Sequence, residues 1–218
     1  MEKDLAILIA DLTGYTAMTE VHGGDSASKI VDRYIQLVES SLMGESYLAE
    51  RIGDQVVVCS TVVDDLAATA LQLNELTKKE NLFLPIHAGI HYGKIVEKEG
   101  RFFGSTINIA ARIAATAKAG EVRCSESFAW QLKNTNAYQL IDLGHFEFKN
   151  FSSKVKVFRL LSPAPNEQDQ MRDPICQMLI VTPEEALRYK HQDKAFYFCS
   201  DHCLSIFKQA NPPQRGVL

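Results

Sequence analysis

The chain has no uninterrupted apolar run of about 18 residues, so none of its helices is expected to cross a bilayer. It also lacks a surplus of positive charge. Its formal net charge is −4, which removes the electrostatic basis for nucleic acid or an anionic membrane surface as a partner. The opening residues Met1-Glu2-Lys3-Asp4 supply neither a basic n-region nor a small-residue cleavage site. No secretory signal is read there, and the expected location is the reducing cytoplasm. Internal repeats and low-complexity tracts are absent, which sets aside solenoids and disordered tails.

Cysteine is scarce and unevenly placed. Cys59 and Cys124 stand singly inside apolar, strand-like runs and read as small buried hydrophobes. Cys176, Cys199 and Cys203 fall close together near the end of the chain. In a reducing compartment such a cluster points to metal rather than disulfides.

What is present is an ordinary globular composition, 46% hydrophobic and 23% charged over 218 residues. That is enough for one domain with a full core and one small module. Residues 4–10 (DLAILIA) read as a buried strand, and Asp11 to Thr16 as a turn into a helix. Helical spacing of apolar residues over 26–39 predicts an amphipathic helix. Runs 46–51 and 55–62 flank Gly53-Asp54 and predict a hairpin. Asp64 and Asp65 open a further helix. Residues 85–91 and 93–97 read as two strands separated by Gly93. A helix from about Ser105 to about Lys118 stops before Gly120. Then come a strand at 121–124, a helix capped by Ser125, and strands within 138–160. This order predicts an α+β fold, a ferredoxin-like βαββαβ sandwich with its helices on one side of a mainly antiparallel sheet. The expected division is a first domain over 1–160, a linker over 161–171 and a metal-binding module over 172–218.

Asp11 closes a buried strand and Asp54 sits at a hairpin tip. If the two strands are neighbours, the carboxylates repel one another, and divalent cations between them remove that penalty. Mg²⁺ or Mn²⁺ suits such hard oxygen donors. The turn Thr13-Gly14-Tyr15 offers backbone N–H groups at a helix start, a fit for phosphates. Asn108 and Arg112, four apart, share one helical face, with Ile109 and Ile113 on the neighbouring stripe. Lys149 stands between aromatics in Phe148-Lys149-Asn150-Phe151. Of the six histidines, His22, His87, His91 and His145 are scattered and read as satisfied structural residues.

The strings ILIADLTGYT, ERIGDQVVV, HAGIHYGKIV, RFFGSTINIAARIA and AGEVRCS together resemble the class III adenylate/guanylate cyclase catalytic domain, over roughly residues 5–160. The resemblance implies a two-metal nucleotidyl cyclase that works as a homodimer on a nucleoside triphosphate. Asp11 and Asp54 take the positions of its metal ligands, Asn108 and Arg112 those of its transition-state pair, and Lys149 that of a phosphate contact. In the family one subunit supplies the metal ligands and the other the Asn and Arg. The second reading is a degenerate cyclase fold that binds nucleotide or a partner without turnover.

The base-selecting positions depart from the adenylate pattern. Glu50 stands where adenylate cyclases carry Lys and resembles guanylate cyclases, since a carboxylate accepts from guanine N1–H and its 2-amino group. Arg101 fits neither common pattern and offers only donors. Guanine, adenine and pyrimidine substrates all stay open. Tyr15 replaces the family's usual Phe.

Near the C-terminus, DPICQM, FYFCSDHC and NPP resemble the YHS domain. Its cysteine positions fall on Cys176, Cys199 and Cys203, thiolates suited to Zn²⁺, Cu⁺ or iron. A closed tetrahedral site needs a fourth ligand, and His202, Met178 and His191 are near in sequence. Gln177 stands where that family has glycine and is strained if the position has positive φ. Phe196-Tyr197-Phe198 reads as core.

Overall fold

The computed structural model describes residues 2–98, 101–163, 171–192 and 194–212. Strand β1 (Glu2–Leu12) runs through its centre. Ala6, Leu8 and Ala10 pack with α1 (Tyr15–Ser41) and α2 (Val63–Lys79) on one face, while Leu5, Ile7 and Ile9 pack with α3 (Ser105–Thr116) on the other. A strand covered on both faces must be apolar at every position, which is why DLAILIA is unbroken rather than alternating.

Around β1 the sheet is built from β2 (Tyr47–Ile52), β3 (Gln55–Ser60), β4 (Ile86–Lys98), β6 (Glu121–Ser125), β7 (Gln139–Phe146) and β8 (Val155–Leu161). Their order is β2-β3-β1-β4-β6-β8-β7, with the short β5 (Arg101–Phe103) on the end of β4. Only β4 and β6 pair in parallel; the other pairings are antiparallel. The α+β class and the βαββαβ core are as the sequence implies.

Two local expectations need correction. β4 is one strand, not two, and pairs with β1 from Glu2↔Val96 to Leu12↔Ile86. Gly93 does not end it. Instead it makes room for the Thr106 side chain, whose hydroxyl donates to the Lys94 carbonyl at 2.6 Å. The helices also lie on both sides of the sheet, because α3 covers the face opposite α1 and α2. Gly89 permits this close approach: a Cβ there would stand 2.2 Å from the Ala114 nitrogen and 2.5 Å from the Ala110 oxygen. No residue with a side chain fits that gap without moving the helix.

α1 starts eleven residues before the periodic apolar stretch that betrays it. Its first two turns, Tyr15–His22, are separated from the rest by a break at Gly23 (φ 78°, ψ 173°). Ser125 caps α4 (Glu126–Ala129) as expected, accepting from the Phe128 N–H.

The C-terminal segment forms the hairpin β9 (Leu187–His191) and β10 (Lys194–Phe198), then α5 (Asp201–Ala210). Phe207 of α5 packs against Tyr189, Phe196 and Phe198. The segment does not stand apart. Leu179 donates to Phe83 at 2.7 Å and accepts from Leu82 at 2.9 Å. Cys176, Met178, Phe198, Cys203 and Phe207 belong to the same buried cluster as Met18 and Leu84. A segment too short for its own core thus shares one. Most of the 161–171 stretch and the last six residues lie outside the described residues. Among the described residues no helix is long and apolar enough to cross a membrane.

Candidate functional site

The two aspartates meet because three strands end in register. Asp11 pairs with Gln55 on β3 and with His87 on β4. Asp54 immediately precedes Gln55 in the β2–β3 turn, so its carboxyl comes to hydrogen-bond that of Asp11. Burial, then this hydrogen bond and the charge of Asp11, push the Asp54 carboxyl up to about 6. His87 stands beside the pair: its Nδ1 is 3.0 Å from Thr13 Oγ1 and its Nε2 3.9 Å from Asp11 Oδ2. Burial holds its pKa below the ordinary value. A neutral imidazole cannot offset two carboxylates, so negative charge gathers at this end of the sheet. Sequence reasoning placed His87 among the structural histidines. The usable signal was strand register, which sets it directly opposite Asp11.

The turn after β1 is more occupied than its sequence implies. The Thr13 N–H donates to the Pro85 carbonyl at 2.8 Å, and its hydroxyl meets His87. Gly14 opens α1 without a side-chain cap, and the Cβ of Gln177 packs against it. Tyr15 is partly buried against the main core. Glu50 is exposed on the same sheet face as Asp11, through the register Glu50↔Val57↔Ile9. Arg101 begins β5 opposite Lys98, and its side chain lies outside the described residues.

Asn108 and Arg112 do share one face of α3. Ile113 is buried against Phe148 and Val157, with Ile109 packed beside them. This anchoring turns Asn108 and Arg112 outward into a cavity of about 500 Å³, also lined by Ser105, Ala111 and Lys149. Burial of Phe148 likewise projects Lys149 into the same space. Among the described residues neither Arg112 nor Lys149 makes an ion pair. The cavity suits an anion, and neither aspartate lines it. One chain therefore carries an acidic cluster and, apart from it, a cationic cavity.

A third cluster gathers sulfur. The Sγ atoms of Cys176 and Cys199 are 3.5 Å apart, and those of Cys199 and Cys203 3.6 Å apart. The nitrogen near them belongs to none of the three residues close by in sequence. His202 is exposed, His191 stacks on Tyr189, and Met178 is buried. Instead His22 of α1 places its Nε2 3.6 Å from Cys199 Sγ and 3.7 Å from Cys203 Sγ. Hydrogen bonding with Cys176, and burial, hold the Cys199 thiol well above its ordinary range, while burial pushes Cys203 up to about 12. Gln177 does have positive φ, 66°. His91 is satisfied as expected, by Ser125 and Ser127. Cys59 and Cys124 are buried, with thiols pushed up to about 12.

Residues 1–162 match the family model described as the adenylate and guanylate cyclase catalytic domain. Similar curated proteins include a pH-sensitive adenylate cyclase of Mycobacterium tuberculosis, 26% identical over 161 residues, covering 72% of this chain and 41% of that protein. An adenylate cyclase of Glutamicibacter nicotianae is 27% identical over 136 residues, covering 62% of this chain and 34% of its own. The chain thus spans well under half the length of these relatives. Among solved structures, the adenylyl cyclase CyaB of P. aeruginosa superposes with a TM-score of 0.65 at 18% identity, over 77% of this chain and 98% of that one. The guanylyl cyclase Cya2 gives 0.64 at 16% identity, over 77% and 96%. These likenesses establish the fold and extend to both adenylyl and guanylyl cyclases.

Proposed function

The chain belongs to the adenylate and guanylate cyclase catalytic family, and from that premise we propose that it cyclises a nucleoside triphosphate to the 3′,5′-cyclic nucleotide, releasing pyrophosphate, at the interface of a homodimer. In this reading residues 1–160 are the catalytic unit, 161–171 a linker and 172–218 a YHS-like metal-binding module. Its five free cysteines suit a reducing, cytoplasmic setting.

Asp11 and Asp54 would hold two Mg²⁺ or Mn²⁺ ions. Their fit rests on the donor set: two touching carboxylates, partly open to solvent and not neutralised by His87. When bound, such ions lower the pKa of the ribose 3′-hydroxyl and neutralise triphosphate charge. The protein's own groups do the rest. Arg112 sets a fixed positive charge where the α-phosphoryl oxygens gain negative charge, and Asn108 orients the sugar beside it. Lys149, in the same cavity, takes a further phosphate oxygen. The Thr13 N–H is already taken by the Pro85 carbonyl, so within this turn Gly14 and Tyr15 would supply the N–H groups for the triphosphate. Glu50 offers acceptors to a base edge bearing N–H donors, as guanine has, and Arg101 donors to a base carbonyl.

The separation of the acidic cluster from the cationic cavity carries the proposal. Acids and cations on one chain line different spaces, so a two-fold partner is what completes each site. The test is a mixing experiment. Each of the four triphosphates is supplied with Mn²⁺, and labelled cyclic product is measured. Asp54→Ala and Arg112→Ala should each be inactive alone. Mixed and re-equilibrated, half of the dimers carry one intact site, restoring about a quarter of the parent rate. A mixture as dead as its components overturns the shared site, and no product from any triphosphate overturns the activity.

A further inference from the structure

The sulfur cluster has a geometry that ordinary packing does not require. In a tetrahedral zinc site, bonds of about 2.3 Å to sulfur and about 2.0–2.1 Å to nitrogen place the ligand atoms roughly 3.5–3.8 Å from one another. Four of the six separations are 3.5, 3.6, 3.6 and 3.7 Å. All four donor atoms lie within 4.8 Å of one another. A disulfide would need sulfurs at about 2.05 Å, and no pair comes near that.

The backbone around the cluster is fixed by groups other than the ligands. Asp173 is fully buried, and its carboxylate accepts N–H groups from Ile175 (2.8 Å), Cys176 (3.3 Å) and Cys199 (2.8 Å). It thereby ties together the two loops that carry Cys176 and Cys199. Ser200 caps α5 by accepting from Cys203 N–H at 3.3 Å, which sets Cys203 one turn in from Cys199. Cys176 and Cys203 are fully buried. Such support of the ligand-bearing backbone is what a structural metal site needs.

The fourth donor comes from the catalytic unit. His22 lies four residues after Met18, on the same inner face of α1, and immediately before the break at Gly23. The other end of this two-turn segment is touched as well, where Gln177 packs on Gly14. The C-terminal segment therefore grips Tyr15–Val21 from both ends. Gly14 in turn follows Asp11 by three residues.

We propose that His22, Cys176, Cys199 and Cys203 bind one Zn²⁺ in a closed four-ligand site that fastens the C-terminal segment to the first two turns of α1. Three thiolates and one imidazole suit zinc and leave no open position, so the ion is a fastener rather than a reaction centre. Its occupancy sets the position of the turn beside Asp11. That last consequence bears on catalysis only through the cyclase reading; the site itself does not depend on it.

The experiment uses the full chain, purified with reductant and without chelator. Elemental analysis should find about one zinc per chain. Cobalt substitution should give thiolate charge-transfer bands and tetrahedral visible bands. His22→Ala should weaken zinc at least roughly a hundredfold in chelator competition, one ligand's share of a structural site, and His22→Cys should restore it. Removing zinc from the parent should speed amide exchange in Tyr15–Val21 at least about tenfold. His22→Ala that binds zinc as tightly as the parent overturns the four-ligand site. Unchanged exchange after chelation overturns the fastening. A stoichiometric ion other than zinc, or a disulfide in the reduced protein, overturns the choice of metal. None of these readouts uses turnover, so a failure of cyclisation and a failure of this site are separately visible.

Discussion

Asp11 and Asp54 are drawn together by adjacent strands ending in register, and the Asp11 side chain remains 31% exposed. His22 and the three cysteines come from two helices and two loops, with His22 and Cys199 177 residues apart in sequence, and two of the thiols are sealed from water. The first cluster is all oxygen and offers two side chains; the second is nitrogen and sulfur and offers four. Hard cations keep water and accept phosphate oxygens, so a site meant to share its ions with substrate must stay open. A closed sulfur site offers no room for a substrate and suits holding parts of a chain together. Exposure and donor type thus set the two clusters apart chemically.

That contrast can be broken most sharply at the oxygen cluster. Asp54→Ala should lower the rate of cyclic nucleotide formation by at least about 10³-fold, measured with labelled triphosphate and Mn²⁺, while the zinc content stays at the parent value. Loss of both together would mean that the clusters are not separate. Cys203→Ser should do the converse. Zinc leaves, and calorimetry should show Tm falling by about 6–12 °C, the size of shift that about 3 kcal/mol causes in a chain of this length.

A smaller effect concerns protons. The folded Asp54 carboxyl is raised to about 6 from an ordinary 3.8. Without divalent ions the folded state therefore keeps a proton that the unfolded state has released over that interval. The resulting stability is complete below pH 3.8 and is lost as pH rises through about 6. Carboxyl ¹³C titration should place the Asp54 midpoint near 6 in chelated buffer, and added Mg²⁺ or Mn²⁺ should move it down. No movement on adding ions would count against the aspartates as ligands. The smallest effect is at Gln177. Its φ of 66° favours glycine, so Gln177→Gly should gain about 0.5 kcal/mol in denaturant unfolding. Losing the side-chain bond to the Pro174 carbonyl limits that gain.

The same division separates what could be read in the sequence from what could not. Local features were legible: the buried β1, the hairpin at Gly53-Asp54, the shared face of Asn108 and Arg112, and the thiols of Cys199 and Cys203 one helical turn apart. Each depends on residues a few positions apart, where periodicity and turn chemistry operate. The side of the sheet taken by α3 was not legible, because it depends on Gly89 lying beneath Ala110 and Ala114. His87 was missed because its place beside Asp11 comes from the β1–β4 register. His22 was missed for a stronger reason. Neighbouring histidines seemed better placed in sequence, and no local pattern announces a donor so far upstream.

Gly23 has φ 78° and ψ 173°, a combination closed to residues that carry a Cβ. A chiral residue there would force the backbone into another basin and turn the axis of the longest helix elsewhere. The imidazole just ahead of it would then no longer face the thiols. The absence of a single methyl-sized substituent, at a position touching none of the thiols from the far end of the chain, is what lets His22 meet them.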